Sequence, residues 1–421
     1  MNSRERVNAA LAHQGGDRIP LDLGGCGQTG MHVTTVYALR QALELDPPGT
    51  PVKVIEPYQM LGEIAPDLQD RLGVDVVGLA NLNTLFGYRN EDWKPWTFWD
   101  GTPLLVPGKF NTDPDENGDL LMYVDGDKSV PPCAKMPEGG FYFDSIIRQD
   151  PIDDDKLDPE DNASDYGPIS DADLAHLRAE SERLYNETDR ALLLVLSDMG
   201  FGDIALVPGP WVKHPRGIRD VTEWYASTTM RKEYVAQVFE RQCEIALENL
   251  PEVYAAVGDR VTVAWISGTD FGAQNGCLIS PRAFRTLYKP FYTRVNAWIH
   301  SHTPWKTFIH SCGSIRPLIA DMVEAGFDIL NPVQTSAADM DPAELKASFG
   351  EQVTFWGGGV DTQHTLPFGT PDEVRAQVRE RLATFGRGGG FVFSPIHNVQ
   401  AKVPVENLLA MYETVQEYGR Y

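Results

Sequence analysis

Lys306-Thr307-Phe308-Ile309-His310-Ser311-Cys312-Gly313 joins a short apolar run to a histidine, a cysteine and a glycine. The run has the length and the β-branched and aromatic content of one buried strand, and the glycine marks where the chain turns away. An amphipathic stretch, 315–325, comes next. The same alternation extends in both directions. Apolar runs at 19–23, 74–79, 192–196, 204–207, 261–266, 306–310, 328–331, 353–356 and 390–393 read as strands. Helical patterns at 231–248, 281–300, 315–325 and 371–385 lie between several of them. Ser280-Pro281 and Thr370-Pro371 each offer a capping hydroxyl followed by proline at the first helical position. About eight strands alternating with helices predict an α/β chain folded as a (β/α)8 TIM-type barrel.

The stretch 90–187 breaks this rhythm. Residues 99–107 and 120–124 read as a hairpin with 113–119 as its polar turn, and an acidic, loop-like run follows at 150–173. The expected organisation is one barrel spanning 1–421, carrying 90–187 as a hairpin and loop insertion that folds over it as a lid or substrate-specificity region. Trp93, Trp96, Phe98, Trp99, Phe141, Tyr142 and Phe143 crowd this insertion and can form an apolar wall. Asp153-Asp154-Asp155 lacks the ligand spacing and turn glycine of a calcium loop, so it reads as solvated surface.

Sixty acidic residues against 36 basic ones give a formal charge of −24. Phosphate backbones and anionic lipids repel such a chain, which argues against nucleic-acid and membrane partners. Five scattered cysteines do not suggest a disulfide framework. The charged start, Met1-Asn2-Ser3-Arg4-Glu5-Arg6, lacks a signal-peptide core, and no apolar run is long enough for a membrane span. A cytoplasmic protein is expected. Neither a G-x-S-x-G nor a P-loop motif is present.

Side chains alternate along an extended chain, so His310 and Cys312 point the same way at the end of their strand. In a parallel barrel that end is the active-site mouth. Imidazole nitrogen and thiolate sulfur suit tetrahedral zinc, and His397, directly after the strand at 390–393, is the candidate third ligand. Asp270 follows the strand at 261–266 and is the candidate catalytic residue, as a fourth ligand, a general acid or a group that orients a substrate. Trp211, His214, Arg216 and Asp361 are candidate substrate-binding residues near strand ends. Gly357-Gly358-Gly359, just before Asp361, lacks dinucleotide-site spacing.

The chain resembles the uroporphyrinogen decarboxylase superfamily. The resemblance begins at Ser3-Arg4-Glu5-Arg6-Val7 and Asp17-Arg18-Ile19-Pro20. It is densest from Gly268 onward, through Leu278-Ile279-Ser280-Pro281, Tyr288-Lys289-Pro290, His310-Ser311-Cys312-Gly313, Gly359-Val360-Asp361 and Val405-Glu406-Asn407-Leu408. It covers about two thirds of the chain and omits the insertion. True decarboxylases of this superfamily carry an arginine-rich motif where this chain has Leu21-Asp22-Leu23-Gly24-Gly25-Cys26-Gly27-Gln28, without arginine. The cobalamin-linked methyltransferase branch is the closer match. Its coenzyme M enzymes hold zinc through an H-x-C motif and a later cysteine in a run like S-P-G-C-G. His310 and Cys312 match the first; Ser394-Pro395 match the second, with His397 where the cysteine stands. The resemblance implies a zinc-dependent methyltransferase that exchanges a methyl group between a small, O-methylated substrate and the corrinoid (cobalamin) of a partner protein. It also implies a possible homodimer. The alternatives are a metal-free decarboxylase or lyase, with Asp270 as proton donor, and a non-catalytic binding protein.

Overall fold

The structure, a computed structural model, describes residues 1–421 except for the side chain of Ser197. Seven parallel strands form one curled sheet in the order Phe391–Val392, Thr354–Trp356, Ile329–Asn331, Lys306–His310, Val261–Ser267, Ala191–Val195, Val76–Leu79. The two edge strands do not face solvent. Asp22 N–H donates to the Phe393 carbonyl and Phe393 N–H to that of Pro20, both at 2.8 Å, while Asp75 N–H donates to Leu21 at 2.8 Å. Residues 20–22 are therefore the eighth stave, and the α/β fold is a TIM-type barrel, as the alternation predicts. Closure leaves no sheet edge, and the central strand Val261–Ser267 is buried along its whole length.

Two apolar layers follow from the period of two. One set of strand side chains, including Val76, Leu193, Trp265, Phe308, Ile329 and Trp356, points into the barrel. Val7, Ala10 and Leu11 of the helix Ser3–Leu11 join that set from below. The alternate side chains pack outward under the helices. Beneath the eighth stave, the fully buried Asp75 accepts from Arg6 and Arg18, each at 2.6 Å, and from Leu21 N–H at 2.8 Å.

Three expectations need correction. Residues 204–207 are not a strand. The Asp203 carboxylate accepts from Ala205 N–H at 2.9 Å, and its carbonyl accepts from Leu206 and Val207, so an aspartate-led turn replaces extended backbone. The helix expected at 231–248 runs as Lys232–Val257, its apolar stripe continuing past Pro251. Residues 103–106 do not pair with 120–122. Lys94–Thr97 pairs with Pro103–Val106 across a tight turn in which Gly101 takes φ +88°. Leu120–Met122 pairs instead with Ala134–Met136. Asp100 selects the first turn by accepting from Thr102 N–H at 2.9 Å.

The chain leaves the barrel at Leu79, a C-terminal strand end, so the irregular region starts on the mouth side. Helix Asp171–Glu187, at its far end, packs on the neighbouring barrel strands as their crossover. The insertion also recruits an earlier segment, because Val52–Glu56 pairs with Pro103–Val106. Its aromatics mostly pack on one another: Trp96 meets Phe98 and Phe110, Phe98 meets Phe141, and Phe110 meets Phe143. His32 Nε2 bonds the Phe141 carbonyl at 2.8 Å, and Arg148 donates to Gly209 at 2.7 Å, holding the insertion to the barrel loops. Among the described residues no helix is long and apolar enough to cross a membrane.

Candidate metal centre

His310 is the last residue of its strand and is buried. The turn beyond it is tied down on every side. Ser311 N–H donates to the Asn331 carbonyl, Ser311 Oγ accepts from Phe271 N–H at 2.9 Å, and Gly313 N–H donates to Gln334 at 2.7 Å. Gly313 takes φ +86°, and a side chain there would collide with the backbone of Gly272. Only glycine permits that approach. The turn aims Cys312 back at its strand end, with Sγ 3.3 Å from His310 Nε2. His397, reached three strands and a loop later, lies edge-on to His310 with ring centroids 5.4 Å apart. One ligand atom from each of the three residues falls within 4.8 Å of the others.

Burial holds both imidazoles neutral, lowering His310 and His397 to about 4, the latter also through His310 itself. Neutral imidazole is the ligand form. Burial, with Asp270 nearby, pushes the Cys312 thiol well above its usual range, so it stays protonated until a cation displaces the proton. Asp270 joins the group by accepting from Cys312 N–H at 2.6 Å, and its own carbonyl accepts from Tyr225 OH at 2.5 Å. Burial raises its carboxyl against that hydrogen bond and the influence of His397.

These residues fit zinc. Bond lengths of about 2.0 and 2.3 Å at a tetrahedral centre place nitrogen and sulfur about 3.5 Å apart, close to the 3.3 Å seen between His310 and Cys312. Three protein ligands leave a fourth position, the arrangement of catalytic rather than closed structural sites.

The family model for uroporphyrinogen decarboxylase (URO-D) matches residues 204–418, just over half of the chain. The chain belongs to that family. A uroporphyrinogen decarboxylase from Psychromonas ingrahamii is 28% identical over 147 residues, 34% of this chain and 39% of that protein. A methylcobamide:CoM methyltransferase MtaA from Methanosarcina barkeri is 27% identical over 141 residues, 34% of this chain and 38% of that protein. The chain thus spans about two fifths of the length of these curated relatives. A methyltransferase structure from Methanosarcina mazei superposes with a TM-score of 0.54 at 16% identity, covering 99% of both chains, and shows that the fold is shared.

The remaining sequence-derived candidates lie elsewhere or act locally. Trp211, His214 and Arg216 line a surface cleft of about 360 Å³ together with Asp161 and Ser164. Arg216 pairs there with Asp161 at 2.6 Å, closing the insertion onto a barrel loop. Asp361 accepts from Gln363 N–H at 2.8 Å and bonds His364 at 3.1 Å, capping its own turn. Sequence reasoning missed Asn331, Asn398 and Asp203. Asn331 carried a readable signal, since it is a polar residue ending an apolar strand, and it pairs in register with His310.

Asp203 is buried behind Gly268, where an added Cβ would lie 2.6 Å from its Oδ2. Burial, with Asp270 adding, raises its carboxyl to about 7. The folded state therefore keeps a proton that the unfolded chain loses near pH 4, and stability falls as pH rises from about 4 to about 7. Between pH 5 and 7.5 this one group accounts for about 2–3 kcal/mol. Urea unfolding of wild type and Asp203→Asn at both pH values should show their stability difference moving by that amount in favour of the variant at high pH. A pH-independent difference would remove Asp203 from the account.

Proposed function

We propose that this protein is a zinc-dependent methyltransferase that moves a methyl group between a small O-methylated compound and a corrinoid protein. The supporting observation is the convergence of His310, Cys312 and His397 at the barrel mouth, in a chain that resembles a methylcobamide:CoM methyltransferase. A zinc ion held there would supply Lewis acidity toward the heteroatom that carries the methyl group. Two neutral imidazoles and one thiolate bring a single negative charge to the site, one fewer than a set with two thiolates. That favours polarising an oxygen over activating a bound thiolate.

Asp270 serves as the proton donor. Its Oδ1 is committed to Cys312 N–H, which leaves Oδ2 as the oxygen to carry a proton. The oxygen that loses its methyl group needs a proton, and this carboxyl is the acid held beside the ligand set. Tyr225 and the Cys312 backbone fix the position of the loop bearing this group. The acceptor corrinoid arrives on a separate protein that docks over the mouth. Substrate-binding roles for Trp211, His214, Arg216 and Asp361 belong to the same proposal, the first three through the cleft they line.

The relatives called uroporphyrinogen decarboxylase support a second reading, a metal-free decarboxylase using Asp270. A polycarboxylate substrate suits it poorly. Segment 21–28 offers no arginine and instead buries Asp22, whose Oδ2 accepts from the Trp356 indole at 2.8 Å. Protein incubated with zinc and dialysed should retain about one metal per chain, and with a methoxylated aromatic it should convert cob(I)alamin to methylcobalamin, read by absorbance. A chain that keeps no zinc and forms no methylcobalamin across a panel of methoxylated donors would end the methyltransferase reading.

A further inference from the structure

Two asparagines hold the two histidines by the same device. Asn331 Nδ2 donates to the Trp356 carbonyl at 2.8 Å. A carbonyl can only accept, so the amide orientation is set and Oδ1 must face His310. His310 Nδ1 lies 2.6 Å from that oxygen and is therefore the protonated nitrogen. Its Nε2 is left with a free lone pair beside Cys312. On the other ligand, Asn398 Nδ2 donates to the Gly27 carbonyl at 3.3 Å and to Gln59 Oε1 at 2.7 Å. Asn398 Oδ1 then faces His397 Nδ1 at 2.9 Å and fixes the same tautomer. Both asparagines are buried.

The two supports belong to one chain of contacts. Trp356, itself fully buried, holds Asn331 through its carbonyl and Asp22 through its indole. Asp22 Oδ1 accepts from Gly25 N–H at 2.9 Å, at the start of the turn that presents the Gly27 carbonyl to Asn398. The strand end that carries His310 and the loop that carries His397 are thereby referenced to one buried residue, through its carbonyl on one side and its indole on the other.

We infer that Asn331 and Asn398 are paired positioning residues that lock each imidazole with Nδ1 protonated and Nε2 free, coupled through Trp356 and Asp22. This rests on the metal-centre reading above and deepens it. A neutral imidazole in the wrong tautomer presents N–H where a lone pair is needed, so a rotating ring loses affinity even when the fold is intact.

The test is equilibrium affinity for Zn²⁺ and Co²⁺ against a competing chelator, for wild type, Asn331→Leu, Asn398→Leu and Asn331→Asp. Each leucine variant should bind about 10- to 100-fold more weakly. Asn331→Asp gives up the donor to the Trp356 carbonyl but keeps an acceptor on Nδ1–H, and should bind metal more tightly than Asn331→Leu. The thiolate-to-cobalt charge-transfer band should persist in the leucine variants at saturating metal, locating the loss on the histidine side. Leucine variants that bind within about threefold of wild type would overturn the positioning role while leaving the metal centre standing. Wild type that binds neither metal would overturn the metal centre and this inference together. If Asn331→Leu does not fold, Asn398→Leu and Asn331→Asp carry the same comparison.

Discussion

Cys312→Ala protein, purified beside wild type, should emerge folded and without zinc. The thiol is the only sulfur in the His310, Cys312 and His397 group, and among these ligands it alone brings a negative charge to a bound cation. Loss of an outer partner costs about 10- to 100-fold in metal affinity, and loss of the thiolate should exceed the top of that range. The fold should barely register the change. Cys312 is only partly buried, and its backbone N–H keeps its bond to Asp270, so the cost in stability is on the order of 1 kcal/mol or less. His310→Ala makes a useful companion. It also loses the metal, but it leaves Asn331 Oδ1 buried without its donor, at a cost of about 1–3 kcal/mol. Metal analysis, urea unfolding and the methylcobalamin assay together separate the two effects. Wild-type zinc content in Cys312→Ala would remove the cysteine from the site.

The second large effect lies at the opposite end of the barrel. Asp75→Ala should destabilise the protein by about 3–5 kcal/mol, because it removes the buried acceptor shared by two guanidinium groups and a backbone N–H. Asp75 is fully buried and receives Arg6 Nη1 at 2.6 Å and Arg18 Nη1 and Nη2 at 2.6 and 2.9 Å. It also receives Leu21 N–H at 2.8 Å, so it holds the segment that closes the barrel between its two edge strands. Asp17 is the internal control. It pairs with the same Arg6 but is 44% solvent-exposed, so Asp17→Ala should cost about 1 kcal/mol or less. Denaturant unfolding of the two variants in parallel gives the comparison. A cost for Asp75→Ala no larger than that for Asp17→Ala would show that closure does not depend on this triad.

Much of the architecture was open to inspection in the chain because burial leaves a local trace. The strand Val261–Ser267 is covered on both faces and so is apolar throughout, and Thr370-Pro371 announces a helix by chemistry confined to four residues. The errors share a cause. Residues 204–207 are apolar enough for a strand, but the carboxylate just before them organises a turn. Residues 103–106 and 120–122 are sound strands whose partners were misjudged, since alternation says which face is buried and nothing about which neighbour covers it.

The candidate site divides along the same line. From sequence alone came the barrel, the mouth-side position of His310, and the shared direction of His310 and Cys312, which follows from the two-residue period of an extended chain. The place of His397 directly after the apolar run at 390–393 put it forward as the third ligand. The tertiary structure alone decided that His397 meets the other two, that Asn331 stands in register beside His310, and that Trp356 ties both histidine supports together. These are relations between strands distant in the chain. They depend on sheet register and barrel closure, which arise only when all eight staves are packed at once, whereas periodicity and turn chemistry are properties of a few consecutive residues.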